Sequence, residues 1–319
     1  MHHLIRALAV LFVFVTTSAA ADTWPSRQIT IVVPFAPGSG TDSIARTIGQ
    51  YLQTALGQPV VIENKVGASG VLAATYVARA VPDGYTLLMA TNSTHSANPH
   101  LFKLLSYDPV KDFAPVARIG SYVFMLVVGK DVPAKTLPEL VAYAKANPGK
   151  LTFASGNTTG IVAGETLKSR AGIDILHVPY KSTPPAINDV LGGRVSMMFI
   201  DLAPGLEHVR AGNFRALAVT TKERSALLPD LPSLAEAGIP GYDVTSYAAL
   251  FAPAGTPKEI VDRLNAEVQK IIANPEAKAR IAVTGFDAFS GPPEQLAAFV
   301  QSELVNWGKL IKDAGIEPQ

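Results

Sequence analysis

The chain has 319 residues, no cysteine, and 27 basic against 26 acidic side chains, a formal net charge of +1. Without cysteine there are no disulfides, no thiolate nucleophile, no cysteine metal site and no lipid-bearing cysteine of a lipoprotein. The balanced charge gives no support to a nucleic-acid or membrane-surface partner.

Met1 to Arg6 is a short start with Arg6 as its charge, Ala7 to Val15 is unbroken apolar, and the small residues Ala19, Ala20 and Ala21 follow. The pattern reads as a secretory signal over residues 1–21, cleaved after Ala21 or one residue earlier. Its apolar core is far below the ~20 residues needed to cross a bilayer, so an exported product is expected, periplasmic in a bacterial cell. Removing the signal takes away Arg6 and no acid, which leaves 26 charges of each sign. The 298 residues that remain fit two domains on a prior of ~100–200 residues each.

Ile29 to Pro34 is rich in β-branched residues and reads as a buried strand, followed by a Pro/Gly/Ser loop and a helix from Thr41 or Asp42. Ile44, Ile48, Leu52 and Ala55 fall on one helical face, Thr41 or Asp42 supplies an N-cap oxygen, and Gly57 marks the stop. A helix start has backbone N–H groups without partners and about half a positive charge, so Gly38, Ser39, Gly40 and Thr41 could floor an anion site. The same glycines could equally serve only a tight turn, with Asp42 only a cap.

Pro59 to Glu63 reads as a second strand, Val71 to Ala80 as a helix and Tyr85 to Ala90 as a third strand. Such alternation argues for a parallel sheet covered on both faces. Thr91, Asn92 and Ser93 open a hydroxyl- and amide-rich segment at that strand's carboxyl end, where α/β sheets bind ligands. His95 and His100 are five apart and lack a carboxylate nearby, so a surface or capping role is expected rather than a metal site. Tyr107 to Ala117 is irregular, and the extended run Ser121 to Gly129 reads as a crossing into a second unit.

That unit repeats the grammar of the first. Helix Leu137 to Ala146 and strand Leu151 to Ala154 lead to the loop Ser155, Gly156, Asn157, Thr158, Thr159, Gly160 and a helix from Ile161 to Ala171. Strand Ile175 to Tyr180, a helix from near Pro184, and strands Val195 to Ile200 and Phe214 to Thr220 complete it. Asp201, at a strand's carboxyl end, either meets a ligand or caps the helix near Pro204 to Arg210. Tyr242 to Ala252 carries the chain back, and helices Pro257 to Ile272, Pro275 to Val283 and Pro292 to Ala314 each have proline near the start.

The two small-residue loops form a pair. If both helix starts face one cleft, main-chain donors from each unit hold one anion, with hydroxyls of Thr41, Ser155, Thr158 and Thr159 beside them. Neither loop contains Lys or Arg, which suits a small carboxylate better than a polyphosphate. Catalytic templates fail: there is no G-x-S-x-G, no H-E-x-x-H, and Ala144 stands where a phosphate loop ending at Gly149 and Lys150 needs glycine. The rival reading is a dinucleotide-binding oxidoreductase or another exported enzyme, since Gly38 and Gly40 open G-x-G-x-x-G and Glu63 ends the second strand. Against it, Ser43 takes the third glycine position and Pro37 stiffens the turn. An exported adhesion or scaffold module is a third reading.

The stretches WPSRQITIVVPFAPGSGTDSIAR, QPVVIENKVGASG, VPDGYTLL, NPHLFKLLSYDPVKDFAPVA, HVPYK, LGGRVSMMF, RALAVTTKERSALLPDLPSLAEAGIPGY and LFAPAGTPKEIVDRLNAEV resemble the Bug family of extracytoplasmic solute receptors, the substrate-binding proteins of tripartite tricarboxylate transporters. The resemblance implies an α/β, two-lobed periplasmic binding protein of the type II flytrap kind, with a five-stranded, parallel-type sheet in each lobe and a hinge between. Residues 22–122 and 247–319 would form a discontinuous first lobe and 123–246 the second. It implies that Phe35 to Asp42 and Ser155 to Thr159 clasp a ligand carboxylate, and that Thr91 to Asn98 and Asp201 line the rest. The expected protein is no enzyme, has no cofactor or metal, is a monomer, and hands a small organic carboxylate to a membrane permease or a sensor. Ile161 stands where many relatives have histidine, and Ser182 and Thr183 follow Lys181 where many have glycine, so a more apolar distal pocket is expected.

Overall fold

The computed structural model describes residues 24–318 apart from positions 226 and 284, so the signal segment and its cleavage point lie outside the described residues. The chain opens with β1 (Ile29–Val33), α1 (Gly40–Leu56), β2 (Val60–Asn64), α2 (Val71–Ala78) and β3 (Thr86–Thr91). In β1, Ile29, Ile31 and Val33 enter one apolar cluster and Val32 another, as the two-residue period of a strand covered on both faces requires. The buried stripe of α1 is Ile44, Ile48, Leu52 and Leu56; Leu56 rather than the exposed Ala55 completes it. Gly57 then takes a left-handed φ of 68° and returns its N–H to Gln53.

A π-helical turn (Ser93–Ala97) and α3 (Asn98–Leu101) lead to β4 (Phe113–Tyr122), which begins inside the stretch expected to be irregular. One residue later β5 (Phe124–Gly129) belongs to a different sheet, so the extended run expected as a crossing is divided between two sheets at Val123. The second sheet adds α4 (Leu137–Ala146), β6 (Thr152–Ser155), α5 (Thr158–Ala171), β7 (Leu176–Pro179), α6 (Thr183–Leu191), β8 (Met197–Asp201), α7 (Leu202–Arg210) and β9 (Phe214–Val219). The chain returns through β10 (Ser246–Pro253) and finishes with α8 (Lys258–Ala273), α9 (Pro275–Ala282), β11 (Phe286–Ala288) and α10 (Pro293–Asp313).

The first sheet has the order β11-β4-β10-β3-β1-β2 and the second β7-β6-β8-β5-β9. Both are mixed. β1 runs parallel to β2 and β3, and β6 to β7 and β8, whereas β10 is antiparallel to β3 and β4, and β5 to β8 and β9. The first sheet therefore has six strands rather than five, because β11 adds an edge against β4. One apolar cluster runs through both sheets and includes Leu250 of β10 and Leu126 of β5. Among the described residues no helix is long and apolar enough to cross a membrane. The carboxyl ends of β1, β3, β6 and β8 carry the loops described next.

Candidate functional site

The α1 start is built by its own loop. Ser39, not Thr41 or Asp42, is the cap: its hydroxyl accepts the Asp42 N–H at 3.2 Å. Gly38 sits at φ 81°, which glycine adopts without a Cβ penalty. Asp42 lies in the first turn, where its carboxylate accepts the Gly38 N–H at 3.0 Å, Arg46 Nε at 2.9 Å and Nη2 at 3.0 Å, and Asn64 Nδ2 at 2.8 Å. Asn64 also donates to the Phe35 carbonyl at 2.8 Å. Burial pushes the Asp42 carboxyl up, but the bonds from Arg46, Asn64 and Gly38 outweigh it and hold it below its ordinary value. Asp42 thus ties the loop to β2 and turns no free oxygen toward the second sheet.

At the end of β3 the Thr91 hydroxyl accepts the Ser93 N–H at 3.2 Å, and the chain tightens into the π turn. His95 is fully buried within it, its ring 4.1 Å from Phe251 and 4.7 Å from Phe113 between centroids, with Nδ1 3.0 Å from the Thr94 hydroxyl. Burial drives its pKa down to about 3, so the ring is neutral. The surface or capping role expected for it is overturned, since the alternating β10 residues Tyr247, Ala249 and Phe251 supply an aromatic bed from a distant part of the chain. His100 is half-buried, and its Nε2 lies 2.8 Å from the Leu304 carbonyl.

On the second sheet, α5 begins three residues before the expected Ile161. Asn157 is its cap, its side-chain oxygen accepting the Gly160 N–H at 2.8 Å, and Thr158 and Thr159 occupy the first turn. Their hydroxyls reach the first sheet: Thr159 Oγ1 donates to Asn92 Oδ1 at 3.1 Å and lies 2.9 Å from Asn92 Nδ2, and Thr158 Oγ1 donates to Asn98 Oδ1 at 3.2 Å. Ser246 donates to the same Asn92 oxygen. Beside this, the Ala36 N–H donates to Ser182 Oγ at 3.0 Å, and a Cβ at Gly156 would overlap the backbone of Ser182 and Thr183. Ser155 is buried and hydrogen-bonded to His177.

Asp201 ends β8 at the cap position of α7, yet its side chain makes no bond to that helix. Instead its carboxylate packs against the start of α1, where a Cβ on Gly40 would overlap Oδ2. Oδ1 has no hydrogen-bond partner among the described residues. Full burial is the largest influence on this acid and pushes its pKa up to about 7.

Of the residues marked in the sequence, Thr158 and Thr159 bond across to Asn98 and Asn92 and Asp201 lies against Gly40, while Phe35, Ser39, Thr41, Asp42, Thr91, Ser93, Ser155, Gly156 and Asn157 lie in the loops and helix starts that flank these contacts. All are buried except Asn157, which is partly so. The start of α1 meets the second sheet at Asp201 and the start of α5 meets the loop after β3 at Asn92 and Asn98, and the contributing loops carry no Lys or Arg. The arrangement can hold an anion through main-chain N–H groups. Residues not marked by sequence reasoning are Asn64, His177 and Ser246, which reach their partners through strand pairing and chain reversal that local patterns do not encode. Cavities of about 620 Å³ beside Phe214 and Leu228, and of about 530 Å³ beside Val123 and Thr245, lie away from these loops.

The sequence profile of the tripartite tricarboxylate transporter family receptor matches residues 44–316. Protein BugT of Bordetella pertussis is 35% identical over 319 residues, covering 97% of this chain and 98% of that one. Among solved structures, R. palustris Rpa4515 with adipate has a TM-score of 0.91 at 38% identity, covering 93% of this chain and all of that one. MatC (Rpa3494) from Rhodopseudomonas palustris with bound malate has a TM-score of 0.83 at 36% identity, covering 90% and 100%.

Proposed function

This chain belongs to the tripartite tricarboxylate transporter receptor family, whose members are solute-binding receptors and not enzymes, and on that premise we propose that it captures a small organic carboxylate in the periplasm, between its two sheets, for delivery to a transporter of the tripartite tricarboxylate type. In this reading residues 24–122 with 246–318, which hold all of β10, form one lobe and 123–245 the other, one residue from the boundary expected from the sequence. The crossings at Val123 and Thr245 act as the hinge.

One observation carries the proposal: a carboxylate, that of Asp201, already lies across the junction against the N-terminus of α1. A site that accepts the protein's own acid offers the N–H donors and dipole that a guest acid requires. The guest takes the place of Asp201 at the α1 start and gains the Thr158 and Thr159 amides of α5. Asp42 shapes the α1 loop without touching the guest, and Asn92, Thr158 and Thr159 latch the lobes around it. Because only the closed arrangement offers both helix starts, a guest that uses both shifts the population toward closure. Adipate and malate, seen in related receptors of known structure, are the first acids to try.

Calorimetric titration of the purified protein with mono-, di- and tricarboxylates, adipate and malate among them, tests this. One guest per chain for at least one acid is the expected result, and no heat with any member of the panel overturns the carboxylate reading.

A further inference from the structure

We propose that His177 sets the polarity of the Ser155 hydroxyl and so couples carboxylate capture at the start of α5 to the uptake of one proton. The inference rests on the reading of that helix start as half of a carboxylate site. β6 and β7 run parallel with Phe153 opposite His177, which puts His177, Phe153 and Ser155 on one face beneath α5. The imidazole stacks on Phe153 at 4.8 Å and 21° between planes. Its Nε2 lies 2.6 Å from Ser155 Oγ. Ser155 is only 1% exposed and sits directly under the first turn of α5, where a Cβ on Gly160 would come within 3.2 Å of the Ser155 Cβ.

The two protonation states of the ring leave opposite faces of the serine available. We assign the neutral ring the Nδ1–H tautomer, in which Nε2 accepts the Ser155 O–H, the serine offers a guest only lone pairs and a carboxylate finds no donor there; a neutral Nε2–H ring would leave the hydroxyl free to donate with no proton taken up. When the ring takes a proton from solvent, Nε2–H donates to Ser155 Oγ, and the serine O–H rotates to donate to the carboxylate. The imidazolium charge then stands one hydroxyl away from the guest. No covalent bond changes, and the balance is one proton taken up with one anion.

The surroundings hold this proton off until the anion arrives. Burial lowers the His177 pKa, and the Lys168 ammonium on α5 lowers it further. Glu165, also on α5, pairs with Lys168 at 3.9 Å, and β6 presents only the uncharged Phe153 and Ser155. An anion at the α5 start offsets the burial and the Lys168 repulsion. By linkage the guest raises the titration midpoint of His177, and acid tightens the guest by the same factor.

The test follows the His177 ring by nitrogen NMR across pH 4 to 8, with and without saturating adipate, or malate if adipate does not bind. The signal is assigned by its loss in His177→Gln. The ring is the readout because Asp201 also titrates and would bend a simple affinity profile. The expected result is a rise of about one pH unit in the midpoint on saturation, equivalent to about tenfold in affinity. Most of that rise should vanish in Ser155→Ala, and His177→Gln should bind with less proton uptake in calorimetry across buffers of different ionisation heat. Binding with an unmoved His177 midpoint overturns the coupling alone, and a full rise in Ser155→Ala overturns the serine relay. If neither acid binds, the same measurement is made with whichever acid of the panel does; if none does, the coupling falls together with the carboxylate reading.

Discussion

The carboxylate of Asp201, at the end of β8 in the second sheet, lies in contact with Gly40, at the start of α1 in the first. The contact is possible only because residue 40 lacks a side chain, since a Cβ there would overlap the Asp201 carboxylate. It joins the two halves of the molecule through one buried, titrating acid.

That acid makes the junction sensitive to pH. The folded pKa of Asp201, about 7, lies above its ordinary 3.8 because burial disfavours the charged form. Its contribution to stability is therefore complete below pH ~3.8 and is lost as pH rises through about 7, on the order of 4 kcal/mol for three pKa units. Asp201→Asn should be more stable than the wild type at pH 8, with the difference shrinking toward pH 5. Parallel profiles of unfolding midpoint against pH for the two proteins would contradict this.

Asp42 has the opposite sign. Its depressed pKa means that its contribution is present above pH ~3.8 and is lost as the pH falls through its folded value. Its carboxylate is buried, so Asp42→Asn should cost about 2 kcal/mol in denaturant unfolding at pH 7 through the lost charged bonds. Arg46, more than half exposed, should cost under about 1 kcal/mol on change to Ala. Equal costs for the two would mean that the pair acts as a surface ion pair and does not organise the loop.

The latch across the junction should act on binding. Asn92→Ala and Thr159→Val each remove one side of a bond pair between a π turn and a helix start. Each should weaken adipate about tenfold, and the double variant should lose less than the product, with a coupling of about 1 kcal/mol. A strictly multiplicative double variant in calorimetry would show that the two side chains do not work together.

Much of this was legible in the chain. The bounds of α4 follow from its apolar spacing and a Thr136 cap, and the strand–loop–helix units around Ile29 and Leu151 announce themselves through β-branched runs ending in small residues. The start of α5 was not, because Thr158, Thr159 and Gly160 carry no apolar period and the signal lies in Asn157 alone. Strand direction was not either: β5 and β10 run antiparallel to their neighbours through pairing with residues far away in sequence, which no local pattern specifies. For the same reason the partners of Asp42 and of Ser155, namely Asn64 and His177, emerge only when β1 lies beside β2 and β6 beside β7. Asp201 was legible as an acid at a strand end, but its placement against the α1 start, with no cap bond to its own helix, was not.

Backbone amide NMR during titration with adipate tests the convergence of the two helix starts most directly. The N–H signals of Gly40 and Thr41 and those of Thr158 and Thr159 should shift together and yield one dissociation constant, equal to that from calorimetry. Saturable binding that moves only one of the two pairs, or neither, would contradict a carboxylate held by both.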